Sequence, residues 1–196
     1  DLLWSRALGI LIETRNQDLI ETANKSIGRV IRGELLETAY SSNVEINTDT
    51  CMEIISGKTA ELFSLAAEAG AIVAGVDGEL RAALSEYGMC LGRAFQLVDD
   101  AMDYAADEQA LGKARGQDLK EGNLTYPLVV ALGRADSEGR RKIRDALISS
   151  RLSFEQFLDV SRIVKEAGGI NDTMTLACDL CEKAKQALGV FKPSIE

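Results

Sequence analysis

One proline-free segment, from about Gly78 to Asp107, constrains the fold of this chain more than any other feature. Apolar residues recur along it at helical spacing, so the sequence predicts a single long, buried helix. The chain of 196 residues has only two prolines, is rich in Ala, Leu, Glu and Ile, and is 5% aromatic. This composition favours an all-α protein, and the length is that of a single domain covering residues 1–196.

Composition excludes several classes of function. The formal charge is −9 and there is no basic stripe, which argues against nucleic-acid binding. There is no histidine, so Ser-His-Asp and Cys-His catalysis, His-bearing di-iron bundles and the usual zinc enzymes are excluded. No apolar run reaches membrane-spanning length and no signal peptide is visible, so we expect a cytoplasmic protein without a membrane span.

An acidic cluster, Asp99, Asp100 and Asp103, lies within the long helical segment. Spacings of three and four residues bring the three carboxylates to one neighbourhood of a helix face. Because like charges this close repel, a cation is their natural partner, and hard oxygen ligands favour Mg²⁺ shared with phosphate oxygens. The alternative is a solvated acidic face, which is common in a chain of this charge. Against it stand the apolar neighbours Phe95, Leu97, Val98 and Met102.

The four cysteines are Cys51, Cys90, Cys178 and Cys181. The Cys178-x-x-Cys181 spacing is that of a redox pair or a zinc half-site, but the pair lies in a helical run with no second pair and no histidine. We therefore expect all four to be buried structural thiols.

Helical periodicity and turn residues predict the other elements. The predicted helices cover about 1–15, 18–39, 50–74, 127–134, 137–149, 154–167 and 171–188. The apolar positions expected to face the core are Leu2, Leu3, Ala7, Leu8, Leu11 and Ile12 in the first helix and Ile20, Ala23, Ile27, Ile31 and Leu35 in the second. Capping boxes are expected at Thr50/Glu53 and at Ser153/Gln156.

Two polar features stand out on these helices. In Ser56-Gly57-Lys58-Thr59, a mid-helix glycine invites a kink that would direct Lys58 and Thr59 away from the regular surface. The alternative is a tolerated glycine beside an exposed lysine. Glu34 and Glu37, near the end of the second helix, are either surface charges or a second carboxylate wall, and their spacing leaves both alternatives open.

A glycine-punctuated loop is predicted over 108–123, just after the acidic helix. It carries Lys113, Arg115 and Lys120. A loop of this content at the mouth of a metal site suits anionic oxygens, although basic loop residues usually meet only water.

Four motifs, taken in register, resemble the trans-prenyl diphosphate synthases. They are Gly57-Lys58-Thr59, Phe95-Gln96-x-x-Asp99-Asp100-x-x-Asp103, Gly112-Lys113-x-x-Gly116-x-Asp118-Leu119-x-Glu121-Gly122 and Thr125-x-Pro127. Their order and intervals agree over nearly the whole chain, which corresponds to the C-terminal two-thirds of that family. The residues of these motifs are most similar to those of medium- and long-chain members such as the octaprenyl, solanesyl and decaprenyl synthases.

The resemblance implies an all-helical isoprenoid-synthase bundle lacking its N-terminal helices, and a homodimer. The implied reaction joins isopentenyl diphosphate to an allylic diphosphate, with Mg²⁺ assisting departure of the allylic diphosphate. It also implies metal contact by Asp99, Asp100, Asp103 and Glu37, with Asp99 as the direct ligand, and it favours a metal-facing Glu34 and Glu37.

The resemblance also implies substrate-binding roles. Lys58 would hold the allylic diphosphate, while Thr59 and Gln96 would face the allylic cation. Phe95 would shape the pocket. Lys113 would grip diphosphate, with Asp118 orienting it.

Three departures from the family pattern appear. The earlier half of the family, with its first aspartate-rich motif, has no counterpart here, so we expect this chain alone to be inactive. Asn123 stands where a lysine often follows Glu-Gly, and Cys51 where a tyrosine is common.

Two other functions compete with a prenyltransferase. A class I terpene cyclase uses the same ionisation chemistry, but its second motif usually carries Asn, Ser or Thr and Glu. A non-catalytic partner that stabilises an active synthase subunit in a heterodimer is the other alternative.

Overall fold

The protein is described by a computed structural model that covers residues 2–76, 78–105, 116–149 and 151–192. Across these ranges the chain forms helices and no strand, which confirms the all-α prediction. The helices are α1 (Leu2–Glu13), α2 (Gln17–Tyr40), α3 (Thr48–Ile55), α4 (Glu61–Val73), α5 (Gly78–Tyr104), α6 (Gln117–Glu121), α7 (Tyr126–Arg134), α8 (Ser137–Leu147), α9 (Phe154–Glu166) and α10 (Gly169–Ala187). Five residues of π-helix, Ser56–Ala60, join α3 to α4.

Helix α5 lies at the centre of the fold and packs most extensively against α4 and α10. One core gathers around its middle, with α3, α7 and α10. A second core lies beyond its C-terminal end, among α6, α7, α8 and α9. The buried side chains that define the cores are Ile54, Ile55, Leu97, Val129 and Leu180 in the first and Leu119, Leu128, Ile143, Val160 and Val164 in the second.

Local capping explains where several helices begin. Asn47, and not Thr50 as predicted, caps α3, because its side-chain oxygen accepts from Thr50 N at 2.9 Å. The Ser153/Gln156 capping box of α9 is confirmed. The predicted loop over 108–123 is wrong over Gln117–Glu121, which forms α6; residues 106–115 lie outside the described residues.

The predicted inward face of α1 is wrong. Leu2 and Leu3 are 85% and 86% exposed, and Leu8 and Ile12 are exposed as well. The reason is that, within the described residues, α1 packs mainly against α2. Little of the described chain therefore covers its other faces.

The predicted core face of α2 is confirmed only in part, at buried Ala23. Ile31 and Leu35 are exposed, whereas Thr22, Ser26 and Gly33 are buried. Small side chains on this face let α2 approach α4 and the π-helical segment closely. The favourable packing of this close approach outweighs the hydrophobic stabilisation that burying the larger aliphatic side chains would give.

The cysteine prediction is confirmed only in part. Cys51 and Cys90 are buried, Cys181 is half-buried and Cys178 is exposed, and all four are free thiols. Burial is the main cause that raises the pKa of Cys90 to about 11, so this thiol is inert at neutral pH.

Candidate active site

The π-helical segment Ser56–Ala60 confirms that the helix is irregular at the predicted glycine. Gly57 faces Gly33 of α2 so closely that a Cβ on Gly33 would lie 2.5 Å from Lys58 N and 2.8 Å from Gly57 C. Since only two glycines allow this approach, the two backbones are in direct contact. The contact and the widened turn place Lys58 and Thr59 on the side of the segment that faces α5 and the end of α2.

Lys58 is bound to Glu37. Its Nζ donates to both Glu37 oxygens, at 2.9 and 2.7 Å, and the two side chains are 35% and 25% exposed. Burial tends to lower the pKa of Lys58, but the hydrogen bond and charge of Glu37, with the charges of Glu34 and Asp118, outweigh burial and raise it. Lys58 is therefore a permanently charged ammonium group at physiological pH.

A chain of hydrogen bonds runs from the π-helical segment across α5 to the start of α7. Thr59 Oγ1 donates to Gln96 Oε1 at 2.8 Å, and Gln96 Nε2 donates to Asp100 Oδ1 at 2.8 Å. The other Asp100 oxygen accepts from Tyr126 N at 3.2 Å. Tyr126 is the first residue of α7, where the backbone N–H has no partner inside the helix, so Asp100 also caps that helix.

Asp100 is 4% exposed. Burial is the largest cause that raises the pKa of Asp100 to about 7, against the hydrogen bonds from Gln96 and Tyr126, and the negative charges of Asp118 and Asp99 raise it further. Burial likewise raises the pKa of Asp103 and of Asp118, with the charge of Asp99 contributing to both shifts. Asp99 thus repels both Asp100 and Asp103, as their spacing predicts, and Asp118 of α6 adds to the same repulsion.

These raised pKa values predict how the stability of the metal-free chain changes with pH. The folded chain holds protons that the unfolded chain has already lost, so the free energy of unfolding falls as pH rises from about 4 to about 7. The contribution of Asp100 is about 4 kcal/mol, the equivalent of its pKa shift. Denaturant unfolding in EDTA at a series of pH values measures this contribution. Asp100→Asn should flatten the pH dependence, whereas Asp179→Asn, at an exposed position of α10, should leave it unchanged. Equal slopes in the wild type and Asp100→Asn would contradict the burial of this charge.

The side chains meet around a small cavity of about 50 Å³. Its lining includes Glu37, Lys58, Thr59, Gln96, Asp100 and Asp118, together with Asn123, Thr125 and buried Cys51. Residues that are up to 88 positions apart in sequence, from Glu37 to Thr125, therefore share one partly enclosed space. Partial burial lowers the local dielectric constant and strengthens the electrostatic interactions among these groups.

Three described residues of the predicted site, Phe95, Asp99 and Asp103, lie outside this lining. Phe95 is 56% exposed and packs against Phe63, with ring centroids 5.4 Å apart. Asp99 is exposed on α5, and no hydrogen bond joins it to another described residue. Lys113 lies outside the described residues, so its role stays a prediction.

Asp103 and Asp118 are each held by one donor. Asp103 Oδ1 accepts from Gly116 N at 2.8 Å, while its Oδ2 is buried and finds no partner among the described residues. Asp118 accepts a long hydrogen bond, 3.4 Å, from Asn123 Nδ2. Asn123, at a position where the family often has a lysine, therefore contacts the carboxylate to which the family resemblance gives the role of orienting Lys113.

The family model described as polyprenyl synthetase matches residues 1–164 of this chain. The chain belongs to the polyprenyl synthetase family. The prediction made from the four motifs is thus confirmed, and the all-α bundle is the isoprenoid-synthase fold. The prediction of one domain over 1–196 and the individual residue roles stay predictions.

Relatives of this polyprenyl synthetase chain align along nearly all of it. It is 34% identical over 194 residues to the all-trans-nonaprenyl-diphosphate synthase (geranyl-diphosphate specific) of Rhodobacter capsulatus, covering 99% of this chain and 59% of that protein. It is 33% identical over 193 residues to the octaprenyl diphosphate synthase of Escherichia coli, covering 97% of this chain and 59% of the relative. The chain therefore spans about three-fifths of the length of these curated relatives.

A solved structure supports the same fold. The polyprenyl synthase from Caulobacter crescentus, crystallised with calcium and isoprenyl diphosphate, superposes with a TM-score of 0.90 at 35% identity. The alignment covers 98% of this chain and 58% of the other. None of the helices within residues 2–76, 78–105, 116–149 and 151–192 combines the length and the hydropathy of a membrane span.

Proposed function

We propose that the protein carrying this chain condenses isopentenyl diphosphate with an allylic diphosphate and forms a longer trans-polyprenyl diphosphate. The observation that carries the proposal is the shared cavity, which gathers an ammonium group, a hydroxyl, an amide and carboxylates from α2, the π-helical segment, α5 and α6. Departure of diphosphate from an allylic carbon requires stabilisation of an anion and of a delocalised cation, and this set of groups provides both.

Lys58 supports the anionic half of that reaction. Its charge is held beside the cavity and can bind a diphosphate oxygen by a charge-assisted hydrogen bond. Thr59 and Gln96 support the cationic half, because hydroxyl and amide oxygens stabilise a cation without trapping it as a strong nucleophile would. The absence of histidine from the sequence agrees with a site that must avoid such a nucleophile.

The acidic side chains fit Mg²⁺ carried in with diphosphate. Asp99 is exposed and without a partner among the described residues, and buried Asp103 Oδ2 also lacks one there. The described residues form no group of three or more His, Cys, Asp or Glu side chains that could hold a metal ion. Mg²⁺ is commonly bound by one or two carboxylates plus phosphate oxygens and water, so this donor set is sufficient. When bound, Mg²⁺ would neutralise charge on the leaving diphosphate.

Turnover tests the proposed function. The native protein that carries this chain, incubated with isopentenyl diphosphate, an allylic starter and Mg²⁺, should yield a longer prenyl diphosphate by product chain-length analysis. EDTA should abolish the product. If a native protein with the Mg²⁺ and both substrates makes no elongated product, the proposal fails and the non-catalytic partner becomes the better description.

The Glu37–Lys58 pair yields a second prediction. Because Glu37 competes for the Lys58 ammonium group, Glu37→Gln should strengthen binding of inorganic pyrophosphate in EDTA by about 3- to 5-fold, the equivalent of a half-exposed ion pair. Lys58→Gln should weaken it about tenfold. Calorimetric titration measures both, with Lys165→Gln on the exposed face of α9 as the control. Weaker binding by Glu37→Gln in EDTA would contradict the competition.

Glu37 is also a predicted metal ligand, and the same variant tests that role. In Mg²⁺, loss of a ligand should weaken pyrophosphate binding, so the effect of Glu37→Gln should change sign between EDTA and Mg²⁺. A gain of affinity in both conditions would remove Glu37 from the metal site.

We also propose that two copies associate through α1. Its exposed apolar side chains are Leu2, Leu3, Leu8, Ile10 and Ile12. A helix that exposes this much apolar surface normally covers it with a partner. In light scattering, the chain should have the mass of a dimer, and the double variant Leu8→Glu/Ile12→Glu should have that of a monomer. Ile148→Glu, at an exposed position after α8, is the control; a monomeric wild type would contradict the proposal.

A further inference from the structure

The hydrogen bonds of Asp100 differ from those of the other two aspartates in the motif. Both Asp100 oxygens accept hydrogen bonds, and the side chain is 4% exposed. Asp99 is exposed, and Asp103 keeps one oxygen without a partner among the described residues. Of the three carboxylates, Asp100 therefore has the least room for a metal ion.

We infer that Asp100 is a positioning residue that fixes the orientation of the Gln96 side-chain amide, and that it is not a metal ligand. The inference rests on the proposed function for its catalytic consequence. The orientation of the Gln96 amide by Asp100 is a property of this chain and does not depend on the proposed function.

The orientation follows from the chemistry of the donors and acceptors. Asp100 Oδ1 accepts a hydrogen bond from Gln96 Nε2 at 2.8 Å, so the NH₂ group of Gln96 faces Asp100. Its Oε1 then lies toward Thr59, whose hydroxyl donates to it. Tyr126 N holds the second Asp100 oxygen and prevents the carboxylate from rotating away.

The orientation decides which charge Gln96 presents to the cavity. In the observed orientation the amide oxygen lies beside Thr59, and Gln96, Thr59 and Lys58 all line the cavity. A fixed oxygen dipole stabilises the developing allylic cation, whereas an NH₂ group in its place would oppose it. Asp100 thus acts on the reaction through Gln96, because both of its oxygens already accept hydrogen bonds from this chain.

Asp100→Asn at pH 8 tests this role because it inverts the chain of hydrogen bonds without breaking it. The Asn oxygen can accept from Tyr126 N, its NH₂ group donates to Gln96 Oε1, and the Gln96 NH₂ group then donates to Thr59 Oγ1. We expect kcat to fall about 100-fold, the effect of losing one preorganised dipole. KM for the allylic diphosphate and the Mg²⁺-dependent affinity for inorganic pyrophosphate should stay within twofold of the wild type.

Two further measurements separate positioning from metal binding and from folding. In the ¹H–¹⁵N spectrum of the 196-residue chain, the side-chain amide signals of Gln96 should shift in Asp100→Asn, and the midpoint of thermal unfolding should not fall. Asp99→Asn, the adjacent control, should leave those signals in place and weaken Mg²⁺-dependent pyrophosphate binding.

The outcomes are distinguishable. Unshifted Gln96 signals in Asp100→Asn overturn the inference, whether or not the wild type turns over. Loss of Mg²⁺-dependent pyrophosphate affinity as large as that of Asp99→Asn also overturns it, because Asp100 would then be a ligand. Shifted signals in a native protein that makes no product would overturn the proposed function and leave the positioning role standing.

Discussion

Gly33→Ala is expected to lower the free energy of unfolding by about 3 kcal/mol and to weaken binding of pyrophosphate by the same chain. The new Cβ would lie 2.5 Å from Lys58 N and 2.8 Å from Gly57 C, and both neighbours are backbone atoms of the π-helical segment. Backbone in a packed core cannot give way as a flexible side chain does, so α2 and the segment must separate. Lys58 would move with the segment. Denaturant unfolding and calorimetric titration with pyrophosphate measure the two effects.

Gly28→Ala, five residues earlier on the same helix, is the matched control. A Cβ there meets nothing within 4 Å, and Gly28 is exposed. Alanine at this position should raise the free energy of unfolding by about 0.5–1 kcal/mol, because the unfolded chain loses conformational freedom. If Gly33→Ala were as well tolerated as Gly28→Ala, the contact between α2 and the π-helical segment would not exist in solution.

Asp99→Ala is expected to reduce turnover of the native protein by about 1,000-fold or more while leaving the fold intact. The carboxylate is exposed on α5, so its loss removes no buried contact and should change the free energy of unfolding by less than about 0.5 kcal/mol. Its proposed task is to hold Mg²⁺ against the leaving diphosphate, a charge stabilisation worth several kcal/mol in the transition state.

Asp179→Ala controls for the change in net charge. Asp179 is likewise exposed, but it lies on α10 and does not line the cavity. Its removal should leave kcat/KM within twofold of the wild type. Activity that survives Asp99→Ala would exclude Asp99 from the metal site and would shift the assignment to Asp103 and Asp118.

Local signals in the sequence were sufficient for most of the fold. The spacing of apolar residues predicts the long helix α5, including its start at Gly78. The residues Ser153 and Gln156 predict where α9 begins. Gly57 in mid-helix predicts an irregularity, and the structure has one there. Each of these features depends on residues within about one turn of one another, which a sequence shows directly.

Packing and hydrogen bonds between residues that are distant in sequence could not be predicted in the same way. The periodicity of α2 places Ile31 and Leu35 on the core stripe, yet the small residues Thr22, Ser26 and Gly33 form the packed face. Similarly, spacing puts the three aspartates together but does not reveal that Asp100 is buried against Tyr126 N. The Thr125-Tyr126-Pro127 helix start does offer one signal, an N–H group without an intrahelical partner, but the sequence does not say which carboxylate accepts from it.

The π-helical turn at Ser56–Ala60 is equivalent to a one-residue insertion in a helix that is otherwise continuous from Thr48 to Val73. Deleting that residue would restore regular α-helical hydrogen bonds. It would also rotate α4 by about 100° about the helix axis relative to α3. A one-residue deletion within Ser56–Ala60 is therefore expected to displace all of α4 relative to α3, and not only the side chains near the turn.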